Sequence, residues 1–292
     1  MGITRVANIT GLDRIGIPVV MACRPNSRML AVHQGKGRTL DAARASALME
    51  AVEAHHAEEI TLPLKVATYR MLRRAHRVVD VTKLPRLRRS RFHADRRIPW
   101  IEGRDLMTDE PVWVPYETVH ANYTIPRVPG SGCFQATTNG LASGNHALEA
   151  ISHGICEVVE RDAATLWCHL PREKQDRTRV DLDSVDDDAC REVIERFSRA
   201  GVAAAVWEAT ADTGIPAFIC DVVEDDPNPL RPIGATWGVG CHPSRGVALL
   251  RALTEAAQSR VTIIAGSRDD VPRDQYERIL GPDVQARERA YM

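Results

Sequence analysis

Apolar residues follow two rhythms along this chain: short runs bounded by turn residues, and longer stretches of helical spacing. "GIPVVMACRP" and "RMLAVHQG" are short runs closed by Gly, Pro and Asn, which predicts strand, turn, strand. "KGRTLDAARASALMEAVEAHHAEEI" then reads as a helix, with Thr39 as N-cap and Asp41 in its first turn. "LKVATYRMLRRAH" is ambiguous between a second helix and an irregular connection. "IPWIEGRDLMTDEPVWVPYETV" predicts a hairpin around "LMTDEP", and "VAAAVWEATADTGIPAFICDVVED" another around "ADTG". The Gly-rich "PGSGCFQATTNGLASGN" leads into the helix "HALEAISHGICEVVERDAATLWCHL". "DSVDDDACREVIERFSRAG" is amphipathic: Asp183 or Ser184 caps it, Val193, Ile194 and Phe197 face inward, and Gly201 stops it. "IGATWGVGCHPSRG" gives a strand and loop before the helix "VALLRALTEAAQSRVTIIAG". Helices mixed with hairpins predict an α+β fold of largely antiparallel sheets built from repeated strand–turn–helix units, rather than a Rossmann alternation. No low-complexity linker divides residues 1–292, so one domain is expected.

Three of the helices share a polar stripe. "ASALMEAVE", "SHGICEVVE" and "LRALTEAAQ" align without gaps and place Ser46, Glu50 and Glu53, then His153, Glu157 and Glu160, then Arg251, Glu255 and Gln258 at i, i+4 and i+7 on one helix face. Each follows a glycine-containing turn. A lone pair of glutamates at i and i+3 is ordinarily a solvated face. Here Ile151, Gly154, Ile155, Cys156, Val158, Val159, Ala163 and Ala164 surround Glu157, and Leu249, Leu250, Leu253, Ala256 and Ala257 surround Glu255, so the expectation is charge on otherwise buried helices. Such charges need partners. Five carboxylates, Glu50, Glu53, Glu157, Glu160 and Glu255, suit hard divalent ions, because Mg2+ takes one or two carboxylates together with phosphate oxygens.

Composition changes little of this. Apolar residues make up 44% and charged residues 26% of the 292, and thirty-eight basic residues balance thirty-nine acidic ones, so no global field draws nucleic acid or a membrane surface. Seven cysteines occur singly, without zinc or disulfide spacing, which suggests reduced thiols in a cytoplasm. The start carries no signal-peptide pattern and no apolar run approaches a membrane span. The remaining polar candidates fit a nucleotide. "GKG" at 35–37 offers bare amides and the Lys36 ammonium between strand and helix. Arg161 and Arg260 lie just past their stripes, where they can clamp phosphoryl charge or form surface ion pairs. "TTNGLASG" offers Asn139 and backbone amides, or simply a helix-entry turn. Residues 83–97 hold seven Lys and Arg against one Asp, a basic loop that is either solvated or a dock for an acidic peptide or partner.

The three stripes, with "NGLASG" ahead of "EVVERDA" and a final "TEAAQSR…GSRDD", closely resemble the YcaO family over about Gly11 to Asp270. The resemblance implies ATP and Mg2+ as cofactors and an activity in which a peptide backbone amide oxygen is phosphorylated and displaced by a nucleophile. It also implies contacts to ATP and Mg2+ from Ser46, Glu50, Glu53, Glu157, Glu160, Arg161, Glu255 and Gln258, with Lys36 and Arg260 at the phosphates. A side-chain nucleophile of the substrate gives an azoline, sulfide a thioamide, an amine an amidine. Azoline-forming members are similar to one another in a Pro-rich C-terminal tail. This chain ends "GPDVQARERAYM", so either the sequence is incomplete or it belongs to the non-azoline branch. "GITRVANITGLDRIGIPVVMACRP" and "QGKG" are similar to YcaO proteins partnered by TfuA, which implies thioamidation of a peptide or protein substrate with a TfuA-like partner and a sulfur donor. A homodimer is left open. Two other classes stay open: a carboxylate-bridged dimetal enzyme, for which, among these glutamates, only Glu53–His56 supplies a Glu-x-x-His pair, and a non-catalytic nucleotide-binding scaffold.

Overall fold

The computed structural model describes residues 1–226, 233–279 and 281–292. The sequence expectation of one domain meets a chain whose contacts gather into two units. One comprises Met1–Asn26, Leu30–Glu53 and Asn139–Met292, the other Ser27–Met29 and Ala54–Thr138.

In the first unit, β1 (Arg5–Asn8), β2 (Val19–Cys23) and β3 (Val32–Lys36) form an antiparallel sheet in chain order. β1, too short and too exposed for an apolar signal, was not foreseen. Thr39 accepts from the Ala42 amide at 3.2 Å and starts α1 (Leu40–Glu58). Fully buried Ala43, Ala47 and Ala51 lay the helix on Val20 and Ala22. The approach is closest at Gly35, where a Cβ would stand 2.0 Å from the Ala47 nitrogen, so no other residue fits.

The same construction recurs. β7 (Val202–Glu208), β8 (Ala217–Glu224) and β9 (Thr236–Cys241) form a second antiparallel sheet in chain order, and α6 (Arg245–Ala265) lies across β9. Cβ atoms on Gly238 and Gly240 would meet α6 backbone at 2.2 and 2.1 Å. Gly266, at φ 57°, closes α6 in the left-handed conformation. β8 is buried at seven of its eight residues because both its faces are covered. Phe218, Cys220 and Val222 pack with α6 and α5 (Asp188–Arg199). Ile219 packs with Ala164 and Trp167 of α3 (Ala147–Cys168).

Two sequence readings are corrected. α5 is capped by Asp187, whose carboxylate takes the Cys190 amide at 2.9 Å. Asp183 and Ser184 instead sit in a separate 3-10 turn capped by Asp181, because Val185 turns extended and breaks the helical run. On α3, Gly154, Cys156 and Ala163 are buried, but Ile151, Ile155 and Val158 are 38%, 45% and 50% exposed. The aliphatic surroundings of Glu157 are therefore partly a surface stripe and not the buried wall expected.

In the second unit, β4 (Leu64–Thr68), β5 (Arg97–Arg104) and β6 (Pro111–Pro115) make a third antiparallel sheet. The ambiguous segment 64–76 is both elements: β4, then α2 (Tyr69–Ala75), because extended Thr68 accepts from the Met71 amide and caps the helix. Trp100, Phe134, Ile98 and Leu72 fill the core, with the Trp100 indole donating to the Ala67 carbonyl at 3.0 Å. The buried Glu117 carboxylate accepts the amides of Gly132, Cys133 and Phe134 and fixes that turn. α4 (Arg172–Asp176), α7 (Arg273–Ile279) and α8 (Pro282–Tyr291) complete the helices of the first unit. Among the described residues no helix is long and apolar enough to cross a membrane.

Candidate functional site

The glycine contacts that seat α1 on β3 and α6 on β9 also set where the polar stripes point. Gln34 donates its amide to Glu50 at 3.3 Å, and Val239 donates to Glu255 at 3.4 Å. Each acidic side chain thus rests on the strand beside its own helix. The Lys36 ammonium reaches across from β3 to Glu255 at 2.8 Å and ties the two strand–helix units together. Gln258 donates to the Gln34 carbonyl at 2.6 Å and fixes the backbone two residues before Lys36.

α3 brings the third stripe. Glu157 accepts from the Gly140 amide at 3.0 Å and from Arg161 at 3.4 Å. Glu53 accepts a short bond from the Ser143 hydroxyl, so the "NGLASG" turn joins the stripes of α1 and α3. His153 is held between the Ser143 carbonyl at Nδ1, 3.3 Å, and Arg251 at Nε2, 3.2 Å. Arginine can only donate, so Nε2 is the acceptor and the proton sits on Nδ1. Burial, with the Arg251 guanidinium beside it, holds this histidine below its ordinary value and in that neutral form.

The carboxylates fall into two neighbourhoods. Burial, offset in part by the Ser143 bond and reinforced by Glu50 and Glu157, raises the Glu53 carboxyl. Burial and the adjacent Glu255 raise Glu160, which is 4% exposed, against the pull of Arg251, Arg161 and Lys36. Burial works to raise Glu255 too, but Lys36, the Val239 amide and Arg161 outweigh it and the carboxyl lies below its usual range. Carboxylates thus crowd Glu53 between Glu50 and Glu157, where Arg161 and Arg268 also reach, while Lys36, Arg161 and Arg251 stand around Glu160 and Glu255. Among the described residues no three His, Cys, Asp or Glu side chains stand ready to enclose an ion alone. Paired carboxylates that share an ion with phosphate oxygens match the way Mg2+ is held, and the raised Glu53 and Glu160 are the groups from which an ion would displace a proton.

The remaining candidates separate. Ser46 is exposed one turn before Glu50, with its backbone against Gly35. Asn139 is exposed next to Gly140. Arg260 is not at the site. It is fully buried and donates to Asp13 at 3.0 Å and to Glu224 at 2.7 Å, and Glu224 also meets Arg14 at 3.3 Å. A fully enclosed guanidinium shared by two carboxylates has no face for a phosphate. His33, Gln34, Ser143 and Arg268 were missed. His33 is fully buried, 3.8 Å from Glu50, with neither ring nitrogen hydrogen-bonded. Arg268, chelated by Asp270, lies in the field of Glu50, and "GSRDD" carried that signal.

A cluster of paired carboxylates met by lysine and arginine, set over strand–glycine–helix turns, is the kind of site that takes a nucleotide with its divalent metal. The family model described as YcaO cyclodehydratase, ATP- and Mg2+-binding, matches residues 34–292, and the chain belongs to the YcaO family. It is 41% identical over 284 residues to a Rhizobium leguminosarum bv. trifolii protein described as lying in the tfuA 3′ region, covering 95% of this chain and 66% of that one. A Methanothermobacter thermautotrophicus protein is 38% identical, over 96% of this chain and 71% of its own length. A Mycobacterium tuberculosis protein, 35% identical over 95% of this chain, is spanned for only 61% of its length. The structure of YcaO from Methanopyrus kandleri bound with AMPPCP and Mg2+ superposes with a TM-score of 0.67 at 25% identity, covering 95% of this chain and 67% of that one. A heterocyclase solved with substrate and cofactor gives 0.76 at 22% identity, 99% of this chain and 41% of that one, a likeness of fold.

Proposed function

We propose that the chain activates a peptide backbone amide by phosphorylating its oxygen at the expense of ATP, and that the product is a thioamide formed with a TfuA-like partner and a sulfur donor. The observation that carries this reading is the placing of Glu160 and Glu255 among Lys36, Arg161 and Arg251, beside the separately crowded Glu50, Glu53 and Glu157. In this reading the five glutamates hold Mg2+, Lys36 and Arg161 face phosphate oxygens, and Ser46 and Asn139 line the nucleotide. Gln258 positions the β3 backbone that carries Lys36. Bound MgATP supplies the phosphoryl group that turns a poor leaving group, the amide oxygen, into phosphate.

The chain's own residues supply orientation and charge neutralisation, and the nucleophile comes from outside. Burial first of all raises six of the seven thiols, Cys190 and Cys241 to about 12, so they are poor thiolates. The likeness to the protein of the tfuA 3′ region supports sulfide as that nucleophile. Heterocyclase likenesses support cyclodehydration as the second reading, in which a substrate side chain attacks instead. The mass of a peptide co-expressed with this chain and a TfuA-like protein separates them. A gain of about sixteen daltons, oxygen replaced by sulfur, is expected; a loss of about eighteen, one water, marks an azoline. ADP and phosphate release that no peptide stimulates would instead mark a nucleotide-binding scaffold.

A further inference from the structure

Charge is unevenly divided in this chain. The unit of Ser27–Met29 and Ala54–Thr138 carries fifteen Lys and Arg against nine Asp and Glu, a net of +6 in a chain whose total is −1. The excess is concentrated in the loop 83–97 and beside it. That loop is not a loose, solvated run. Ser90 donates to the Cys133 carbonyl at 2.6 Å, the Arg91 amide to Gly132 at 3.0 Å, and Gln135 to the Pro85 carbonyl at 3.0 Å. Phe92 packs on Phe134 with ring centroids 4.9 Å apart. The backbone is pinned while the Arg88, Arg89 and Arg91 side chains are exposed, and none of the three has a carboxylate partner among the described residues. Ordering such a loop with its charges unpaired stabilises the fold little and suits a negatively charged ligand well.

The neighbouring strand adds a second feature. β4 is an edge strand, and among the described residues nothing pairs with its far side. Natural edges are blunted with outward charges, bulges or proline. β4 presents Leu64 and Val66, 43% and 56% exposed, on the sheet face that carries exposed Arg97, the cross-strand partner of Thr68, whose guanidinium donates one bond to the Val66 carbonyl at 3.3 Å. Leu62 and Met71, 59% and 62% exposed, flank it.

We propose that this unit is a docking module for an acidic, extended segment of a second polypeptide. The segment adds to β4, with alternate apolar side chains on Leu64 and Val66 and its carboxylates on Arg97 and the arginines of the 83–97 loop. The alternation of apolar anchor and basic side chain favours a polypeptide over a nucleic acid. Single strands are held by aromatic platforms, and the large exposed apolar side chains of this unit are aliphatic apart from Tyr123. The proposal is independent of the chemistry at the glutamate site.

Fluorescence anisotropy of the full chain with a labelled peptide of alternating glutamate and leucine tests it. The wild type binds this peptide and not its lysine–leucine counterpart. The triple variant R88E/R89E/R91E and the double variant L64D/V66D, all at exposed positions and checked for unchanged circular dichroism, each weaken binding roughly tenfold or more. Failure of the wild type to bind, or equal binding by R88E/R89E/R91E, overturns the proposal. So does tighter binding of a labelled oligothymidylate than of the peptide. Sedimentation showing that the wild type self-associates and R88E/R89E/R91E does not would assign the face to a second copy instead.

Discussion

Glu160 is asked to be two things at once, a buried side chain and an anion. At 4% exposure, beside Glu255, its carboxyl is raised above the ordinary range. The folded chain therefore holds this proton at pH values where the unfolded chain has lost it. The stabilising contribution of the neutral form is fully present below the ordinary carboxylate range and is lost as pH rises through the raised value. Glu160→Gln keeps the shape without the charge, so its melting temperature without nucleotide should exceed that of the wild type. The gain should be larger at pH 8 than at pH 5, as read by differential scanning calorimetry. Arg260 shows the opposite logic. Its guanidinium compensates Asp13 and Glu224, 4% and 2% exposed at their side chains. Arg260→Leu strips the buried Asp13 carboxylate of this arginine and leaves Glu224 with Arg14, 3.3 Å away, and should destabilise by about 3–5 kcal/mol in denaturant unfolding. Of the candidate site residues only Arg260 is so enclosed.

At the scale of the element, the recurring device is a strand glycine beneath a helix. Gly35 under α1 and Gly238 with Gly240 under α6 bring helix backbone so close that a methyl group would lie 2.0 to 2.2 Å from a main-chain atom. Gly238→Ala should therefore push α6 off β9. We expect a loss of about 1–3 kcal/mol or more in unfolding experiments, with nucleotide binding weakened as well because Glu255 rides on that helix. The stripes were legible in sequence because i, i+4, i+7 spacing is local to a helix, and the hairpins at "LMTDEP" and "ADTG" because turn chemistry is local too. What escaped was non-local or finely balanced. β1 owes its existence to pairing with β2, not to its own composition. The split of 64–76 hangs on the single Thr68 cap. The exposure of Ile151, Ile155 and Val158 could not be told from burial by apolar spacing alone. Arg260 lay two residues beyond a functional-looking stripe, and only the folded chain brings Asp13, 247 positions away, to it. His153 and Arg251, both visible within the stripes, become a hydrogen-bonded pair only when α3 and α6 meet.

For the whole molecule, the account is that three helices from distant stretches of one chain build a single acidic, cation-lined site for a magnesium nucleotide. Calorimetric titration of AMPPCP with Mg2+ into the full chain, repeated for Glu157→Gln and Glu160→Gln, tests that claim most directly. The account predicts binding that requires Mg2+ and takes up heat differently in buffers of different ionisation enthalpy, because filling the site displaces protons from Glu53 and Glu160. It also predicts affinity at least about tenfold weaker, about 1.4 kcal/mol, in each variant. Nucleotide binding that is indifferent to Mg2+ and unchanged in both variants would contradict it.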